Sequence, residues 1–491
     1  MRQLPIFIAL LVLTPLFSQT EQEKVEATVS KNEIEGHIYF LADDLLKGRE
    51  TGTPENKIAA SYLANNLRGY GVKPNPTTNS YYQTVPMQEV TPPRRFTLSL
   101  DGADYKNKVV LQTSKMDFTG KAVYVGYGLE DDYDGKNVKE KIVLVQAGGP
   151  NAKDTRAAFG LREKKAELAK KAGAIGIIEF IKAAPQMWGY IDHNFNSKRL
   201  ENAETVNQAS KEDSFAYVWI QDEHGNYAEA LSSKNEMPIK MMMEDENRVK
   251  VTSQNVVGLV EGTDPKLKNE YIIYSAHYDH VGVGQPDKTG DTIYNGARDN
   301  AVGVTTVLSM AENMAKYPTK RSALFILFTG EEKGLLGSKY YVDNPIVPLD
   351  QMVYCFNSDN GGYNDTSIAT IVGLTRTTAE KNIEDAASTF GLKANEDPQP
   401  ENNLFNRSDN VHFAKKGIPS PTFTLGFTDF AQATKHYHRP SDEADTLDYD
   451  YLLKFFQAYV LSGRNIANDP TTPFWVKGDS YEEAGKELYK K

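Results

Sequence analysis

Cysteine is almost absent: Cys355 is alone in 491 residues. No internal disulfide can form, and no cysteine-rich zinc module is available. Positive charge is not in excess either. Lys and Arg number 55 against 66 Asp and Glu, a net charge of −11. Nucleic-acid binding through the phosphate backbone calls for the opposite sign, so no nucleic-acid partner is expected. Glycine (36) and proline (23) are close to ordinary usage, which excludes collagen-like and low-complexity chains. Beyond the first residues there is no long apolar run, so no membrane span is expected. What is present suits globular domains. Apolar residues are 40% and charged residues 25%, over a length that corresponds to two or three domains.

Met1-Arg2-Gln3 precedes an apolar run from Leu4 to Phe17, which ends at Ser18-Gln19. One cation, a short apolar stretch and a small residue read as a secretory signal peptide over residues 1–18. The run is shorter than the ~20 residues that cross a bilayer as a helix. No cysteine follows it to carry a lipid anchor. The expectation is a secreted or periplasmic protein, free of the membrane once the signal is removed.

Ile34, Ile38, Leu41 and Leu45 recur at helical spacing, and so do Ala59, Tyr62, Leu63 and Leu67. Gly48-Arg49-Glu50-Thr51-Gly52-Thr53-Pro54 between them reads as a loop. Further on, β-type runs at Lys121–Leu129, Lys141–Gly149 and Ala174–Ile181 enclose a helix over Glu163–Ala172. They form an α/β module of their own. Lys164, Lys165, Lys170 and Lys171 on that helix read as a solvated face. From Asn255 the pattern alternates. Strands at Tyr271–Ala276, Ala323–Thr329, Met352–Phe356, Ile368–Val372 and Thr422–Leu425 are interleaved with helices at Ala301–Ala315, Gly334–Val342, Thr378–Phe390 and Tyr449–Ala467. This predicts an α/β fold, a mixed, mostly parallel sheet with helices on both faces. Ligands of such sheets sit at the carboxyl ends of strands. The polar end of the chain, with Trp475 and Tyr481, reads as a surface tail docked by its aromatics.

The chemistry-bearing residues follow those strands. Tyr271–Ala276 ends in His277-Tyr278-Asp279-His280, where alternation points His277 and Asp279 the same way. Asp299 lies in Gly296-Ala297-Arg298-Asp299-Asn300-Ala301, ahead of a helix, where a plain N-cap is the simpler reading. Ala323–Thr329 runs into Gly330-Glu331-Glu332, and Met352–Phe356 into Asn357-Ser358-Asp359. The loop after Thr422–Leu425 carries His436-Tyr437-His438-Arg439-Pro440-Ser441-Asp442. Each piece alone is a solvated turn. Together they bring imidazoles and carboxylates to one sheet edge. Such donors without cysteine suit zinc, and less often manganese or cobalt. Five ligands serve two metals if one carboxylate bridges. A metal pair polarises a carbonyl and generates hydroxide from a shared water. A spare carboxylate must take that water's proton.

These motifs, with Asn255–Gly262, Glu331-Glu332-Lys333-Gly334-Leu335-Leu336-Gly337-Ser338 and Ser408-Asp409-Asn410-Val411-His412-Phe413, resemble the co-catalytic di-zinc aminopeptidase family of clan MH. Kin of bacterial leucyl aminopeptidase and glutamate carboxypeptidase make up that family. The resemblance spans roughly residues 30–105 and 255–466. It implies that His277 and Asp359 bind one zinc, that Glu332 and His438 bind the other, and that Asp299 bridges them. Asp279 would orient His277, and Glu331 would be the general base. His436, two residues from His438, competes for the ligand role on spacing alone. His280 and His412 are expected to serve structure or to support ligands. Residues 106–250 resemble a protease-associated (PA) insertion, with echoes at Val125-Gly126-Tyr127-Gly128 and Gly173-Ala174-Ile175-Gly176.

The resulting assignment is a signal peptide at 1–18, peptidase segments at 31–105 and 251–466 around the PA insertion, and a tail at 467–491. The zinc-exopeptidase fold and two Zn2+ ions follow from the resemblance. So does an exported aminopeptidase using a bridging hydroxide on peptide substrates. A carboxypeptidase or dipeptidase of the same family is the alternative within hydrolases. Arg298 and Arg407 leave open which end of the substrate meets a charge. A metal-free, receptor-like binding protein is the alternative outside enzymes. Glutaminyl cyclases, with a single zinc, are a fourth class.

Overall fold

The structure is a computed structural model that describes residues 19–112, 115–203 and 215–490. The expected signal peptide lies outside the described residues. Among the described residues no helix is long and apolar enough to cross a membrane.

The chain forms two compact units. The first comprises Met1–Thr84 with Ser253–Lys491, and the second Val85–Thr252. Seven strands of a nine-stranded sheet position the site: β1 (Asn247–Val260), β2 (Tyr271–His277), β3 (Ser322–Phe328), β4 (Met352–Ser358), β5 (Ile368–Val372), β6 (Lys393–Glu396) and β7 (Thr422–Leu425). Their order is β6-β5-β7-β4-β2-β3-β1. Pairs β2/β3, β2/β4, β4/β7 and β5/β6 are parallel, while β1/β3 and β5/β7 are antiparallel. The sheet is therefore mixed and mostly parallel.

Alternation along the central strands explains the layers. Ile272, Tyr274 and Ala276 of β2, with Phe325 and Leu327 of β3, join one apolar cluster. That cluster includes residues of Lys31–Leu41, Pro54–Tyr70, Gly303–Lys316 and Tyr449–Asn468, all helices. Ile273, Leu324, Ile326 and Phe328 face the other way, toward Tyr341 and Phe413 on the helices Leu336–Asp343 and Asn410–Lys415. Strands apolar on both sides are what a sheet covered on both faces requires. His277 at the end of β2 is in register with Phe328 at the end of β3. The loops after β2, β3, β4 and β7 consequently leave the same edge.

The second unit has an eight-stranded sheet. Its centre, Met116–Tyr124, Ile142–Gln146, Gly176–Ile181 and Ala216–Gln221, is parallel. Phe96–Leu100 pairs with Met237–Met243, so this unit begins well before residue 106. Its first long helix, Thr155–Lys171, also starts earlier than expected. The solvated-face reading fails for Lys165. Lys165 and Glu179 are both 0% exposed, with Nζ 2.5 Å from Oε1. Glu179 also accepts hydrogen bonds from Tyr217 Oη (2.9 Å), Trp219 Nε1 (2.7 Å) and the Gly148 amide (3.2 Å). A buried ion pair persists only when its remaining hydrogen-bonding capacity is met in this way.

Beyond the long helix, the end of the chain is ordered against the first unit. Trp475 is buried and donates from Nε1 to Gly417 O at 2.9 Å.

Candidate metal centre

Strand β2 delivers His277 from an apolar run into the site, and Tyr278 extends the pairing by donating to Phe328 O (2.9 Å). Asp299 is not the N-cap of the following helix, which begins at Gly303. It sits in a tight turn over Ala297–Val302, and the Asp299–Asn300 peptide is cis. Two glycines make the turn feasible. A Cβ on Gly296, which has a φ of +62°, would lie 2.2 Å from Asp299 O. A Cβ on Gly303 would lie 2.2 Å from Asn300 Oδ1 and 2.4 Å from Ser358 O. Asp442 pins the same turn by accepting from the amides of Arg298 and Asp299, each at 3.1 Å. It also pairs with the Arg298 guanidinium at 3.0 Å, so Arg298 is committed to the scaffold.

Two sets of donors converge on Asp299. In the first, His277 Nε2 lies 3.3 Å from Asp299 Oδ1 and 3.3 Å from Asp359 Oδ1. In the second, His438 Nε2 lies 3.1 Å from Asp299 Oδ2 and 3.1 Å from Glu332 Oε1. His280 Nδ1 joins this second set, 2.8 Å from Glu332 Oε1 and 3.8 Å from Asp299 Oδ2. Donors around a tetrahedral zinc stand about 3.3 Å apart, so both sets have the spacing and the N/O chemistry of metal sites. His438, not His436, turns into the cluster. His436 Nδ1 is 3.0 Å from Ser441 Oγ at the exposed surface.

The electrostatics are those of a place built for positive charge. Burial alone would raise Asp299, but hydrogen bonds from His277 and His438 outweigh it and hold the carboxyl well below the usual range. Burial and the charge of Asp299 likewise push Glu332 up, yet His280 and His438 bring it to about 2. Burial lowers His438, but its bonds to Asp299 and Glu332 raise it to about 10. Glu331 behaves oppositely. Burial first, then the charges of Asp359 and Glu332, lift it well above the carboxylate range against the pull of His277. Two adjacent glutamates are thus driven apart, one to stay ionised and the other to hold a proton readily.

Asp279 does less for His277 than the resemblance implies. His277 Nδ1 lies 3.1 Å from the Asp279 main-chain carbonyl and 3.9 Å from its carboxylate. The carboxylate accepts instead from Thr51 Oγ1 (2.7 Å) and from the amides of Glu331 (3.1 Å) and Glu332 (3.3 Å). Strand β2 stops at His277, so the alternation that would set residues 277 and 279 side by side stops with it. Asp279 positions the Glu331-Glu332 turn.

His280, expected to serve structure or to support a ligand, reaches Glu332, with Nδ1 2.8 Å from Oε1. Two contributors lie beyond the reading from sequence. Thr51 belongs to the loop Gly48–Pro54. From that loop Arg49, fully buried, donates Nε to Tyr278 O (2.9 Å), Nη1 to Leu41 O and Asn295 O, and Nη2 to Gly296 O (3.0 Å). It thereby ties the turns that carry Asp279 and Asp299. The only sequence signal was a loop polar enough to be solvated that sits between two apolar helices. His412 and Cys355 stay outside the site: His412 Nδ1 is 3.0 Å from Ser338 Oγ, and Cys355 is buried within β4.

Residues 255–461 match peptidase family M28, and residues 99–226 match the PA domain. Aminopeptidase YwaD of Bacillus subtilis (strain 168) is 26% identical over 436 residues, covering 85% of this chain and 81% of the relative. A probable leucine aminopeptidase 2 of Aspergillus oryzae is 24% identical over 372 residues, covering 69% of this chain and 65% of the relative. In fold, the aminopeptidase from Aneurinibacillus sp. strain AM-1 superposes with a TM-score of 0.61 at 23% identity, over 92% of this chain and 97% of that one.

Proposed function

From the match of residues 255–461 to peptidase family M28 and of residues 99–226 to the PA domain, we propose that the chain is an exported zinc aminopeptidase that removes the N-terminal residue of peptides. The observation that carries the reading is Asp299, with one oxygen toward His277 and the other toward His438. His277, Asp299 and Asp359 would hold one zinc ion. Asp299, Glu332 and His438 would hold the second, with His280 beside them. Such a pair, when bound, supplies Lewis acidity to polarise a peptide carbonyl and to acidify water. The chain supplies the rest. Glu331 takes a proton from the attacking water as the C–O bond forms, and returns it to the amine as the C–N bond breaks. Asp279 holds the Glu331 and Glu332 amides, keeping the proton carrier and the ligand in fixed relation.

The names of the two relatives support an amine-terminal cleavage site. The apolar run Leu4–Phe17 supports export. A panel of aminoacyl p-nitroanilides, assayed with and without chelator, tests the reading. Hydrolysis that chelator abolishes and added zinc restores is expected. Acceptance of N-blocked dipeptides with rejection of C-blocked ones would replace aminopeptidase with carboxypeptidase. A protein that binds no zinc at all would return the metal-free receptor.

A further inference from the structure

The cavity beside the metal centre contains one feature that the hydrolytic chemistry does not use. Its wall runs from His277, Glu331 and Asp359 to the apolar side chains Leu404, Phe427 and Phe430. Arg407 is the sole Lys or Arg among the residues lining it. Two other arginines of this region are committed elsewhere. Arg298 pairs with Asp442, and Arg376 pairs with Asp479 at 2.7 Å. Arg407 is exposed and has no carboxylate at ion-pair distance among the described residues; its guanidinium carbon stands 6.0 Å from the Phe430 ring centre.

The backbone that presents it is braced. Arg407 closes the turn Leu404–Asn406 through its amide to Leu404 O (3.0 Å). Asn406 Oδ1 accepts from Tyr481 Oη at 3.1 Å. Phe405, buried, lies under the Arg376 guanidinium at 3.8 Å and packs on Tyr481. The end of the chain thus fixes the loop from behind, leaving the cation facing the cavity. An arginine fork beside apolar walls is suited to a carboxylate, which it can engage with two parallel N–H bonds.

We propose that Arg407 is a carboxylate-recognition subsite, and that preferred substrates carry a free carboxylate close to the scissile bond. The proposal rests on the exopeptidase reading and refines it. Two sources offer this chemistry: the C-terminus of a dipeptide, or an acidic side chain of the residue being released.

The test uses the zinc-loaded full chain, with kcat and KM measured on two substrate pairs. One pair is Leu-Gly against Leu-Gly-amide. The other is Glu-p-nitroanilide against Leu-p-nitroanilide. A charge-assisted contact predicts a preference of about 10–100-fold for the acidic member of one pair. The pair that shows it identifies the source. In Arg407→Met the preference collapses toward unity through KM, and Arg407→Lys restores part of it. A wild-type ratio near one in both pairs overturns the subsite, as does a ratio that Arg407→Met leaves unchanged. No turnover of any of the four substrates overturns the exopeptidase reading itself.

Discussion

His438 Nε2 stands 3.1 Å from Asp299 Oδ2, although 139 residues separate the two in the chain. His436, two positions earlier, faces Ser441 instead. Replacing His438 by Ala is expected to lower bound zinc from two equivalents to about one, with loss of turnover. His436→Ala should keep both. Elemental analysis after desalting decides between them.

Glu331 is the group asked to move a proton. In Glu331→Gln both metals should stay bound, because none of the ligand contacts involves it. Turnover should fall by about 10²–10⁴-fold, the usual worth of a positioned acid–base group. Parallel measurements of metal content and kcat check the separation. Normal hydrolysis by the variant would remove Glu331 from the mechanism.

His280 shares Glu332 Oε1 with His438. Because its Nδ1 holds that oxygen at 2.8 Å, His280→Ala should weaken zinc retention by about 10–100-fold, as loss of ligand support generally does. Dialysis against graded chelator, followed by metal analysis, reads this without any assay of activity.

In the second unit, Lys165→Met would strand Glu179 in an apolar core. Breaking one side of a buried pair costs about 3–5 kcal/mol. The expected result is a lowered thermal midpoint for the transition of this unit in the full-length protein. Glu179→Gln with Lys165→Met, which removes both charges, should recover much of the loss.

His37 gives a pH signature of stability. Its ring nitrogens lie 2.7 Å from Tyr62 Oη and 3.0 Å from Tyr70 Oη, and burial lowers its pKa to about 4. The unfolded chain binds the proton near 6.5. The stabilisation is therefore complete above about 6.5 and is lost as pH falls toward 4, a change of order 3 kcal/mol. Urea titrations across that window should show a steeper acid loss in the wild type than in His37→Gln.

The strand-ending motifs were readable because each follows an apolar run whose period identifies it. His277 closes β2, Glu331 and Glu332 follow β3, and Asp359 follows β4. Parallel pairing then collects them at one edge. What stayed hidden depends on partners remote in sequence. Thr51 meets Asp279 across 228 residues, and Arg49 reaches Tyr278 O across 229. No periodicity encodes such a meeting. Lys165 was misread for a related reason. Which face of a helix is wet depends on what lies against it, and a lysine among the others of a basic helix looks solvated until Glu179 is seen beneath it.

Asp299 divides its two oxygens between two histidines, and that has a genetic consequence. Any replacement at this position disturbs both halves of the centre together, so no single codon change there can yield a descendant with one half intact. A change that spares one half must therefore fall at Asp359, Glu332 or one of the histidines, each of which belongs to a single set.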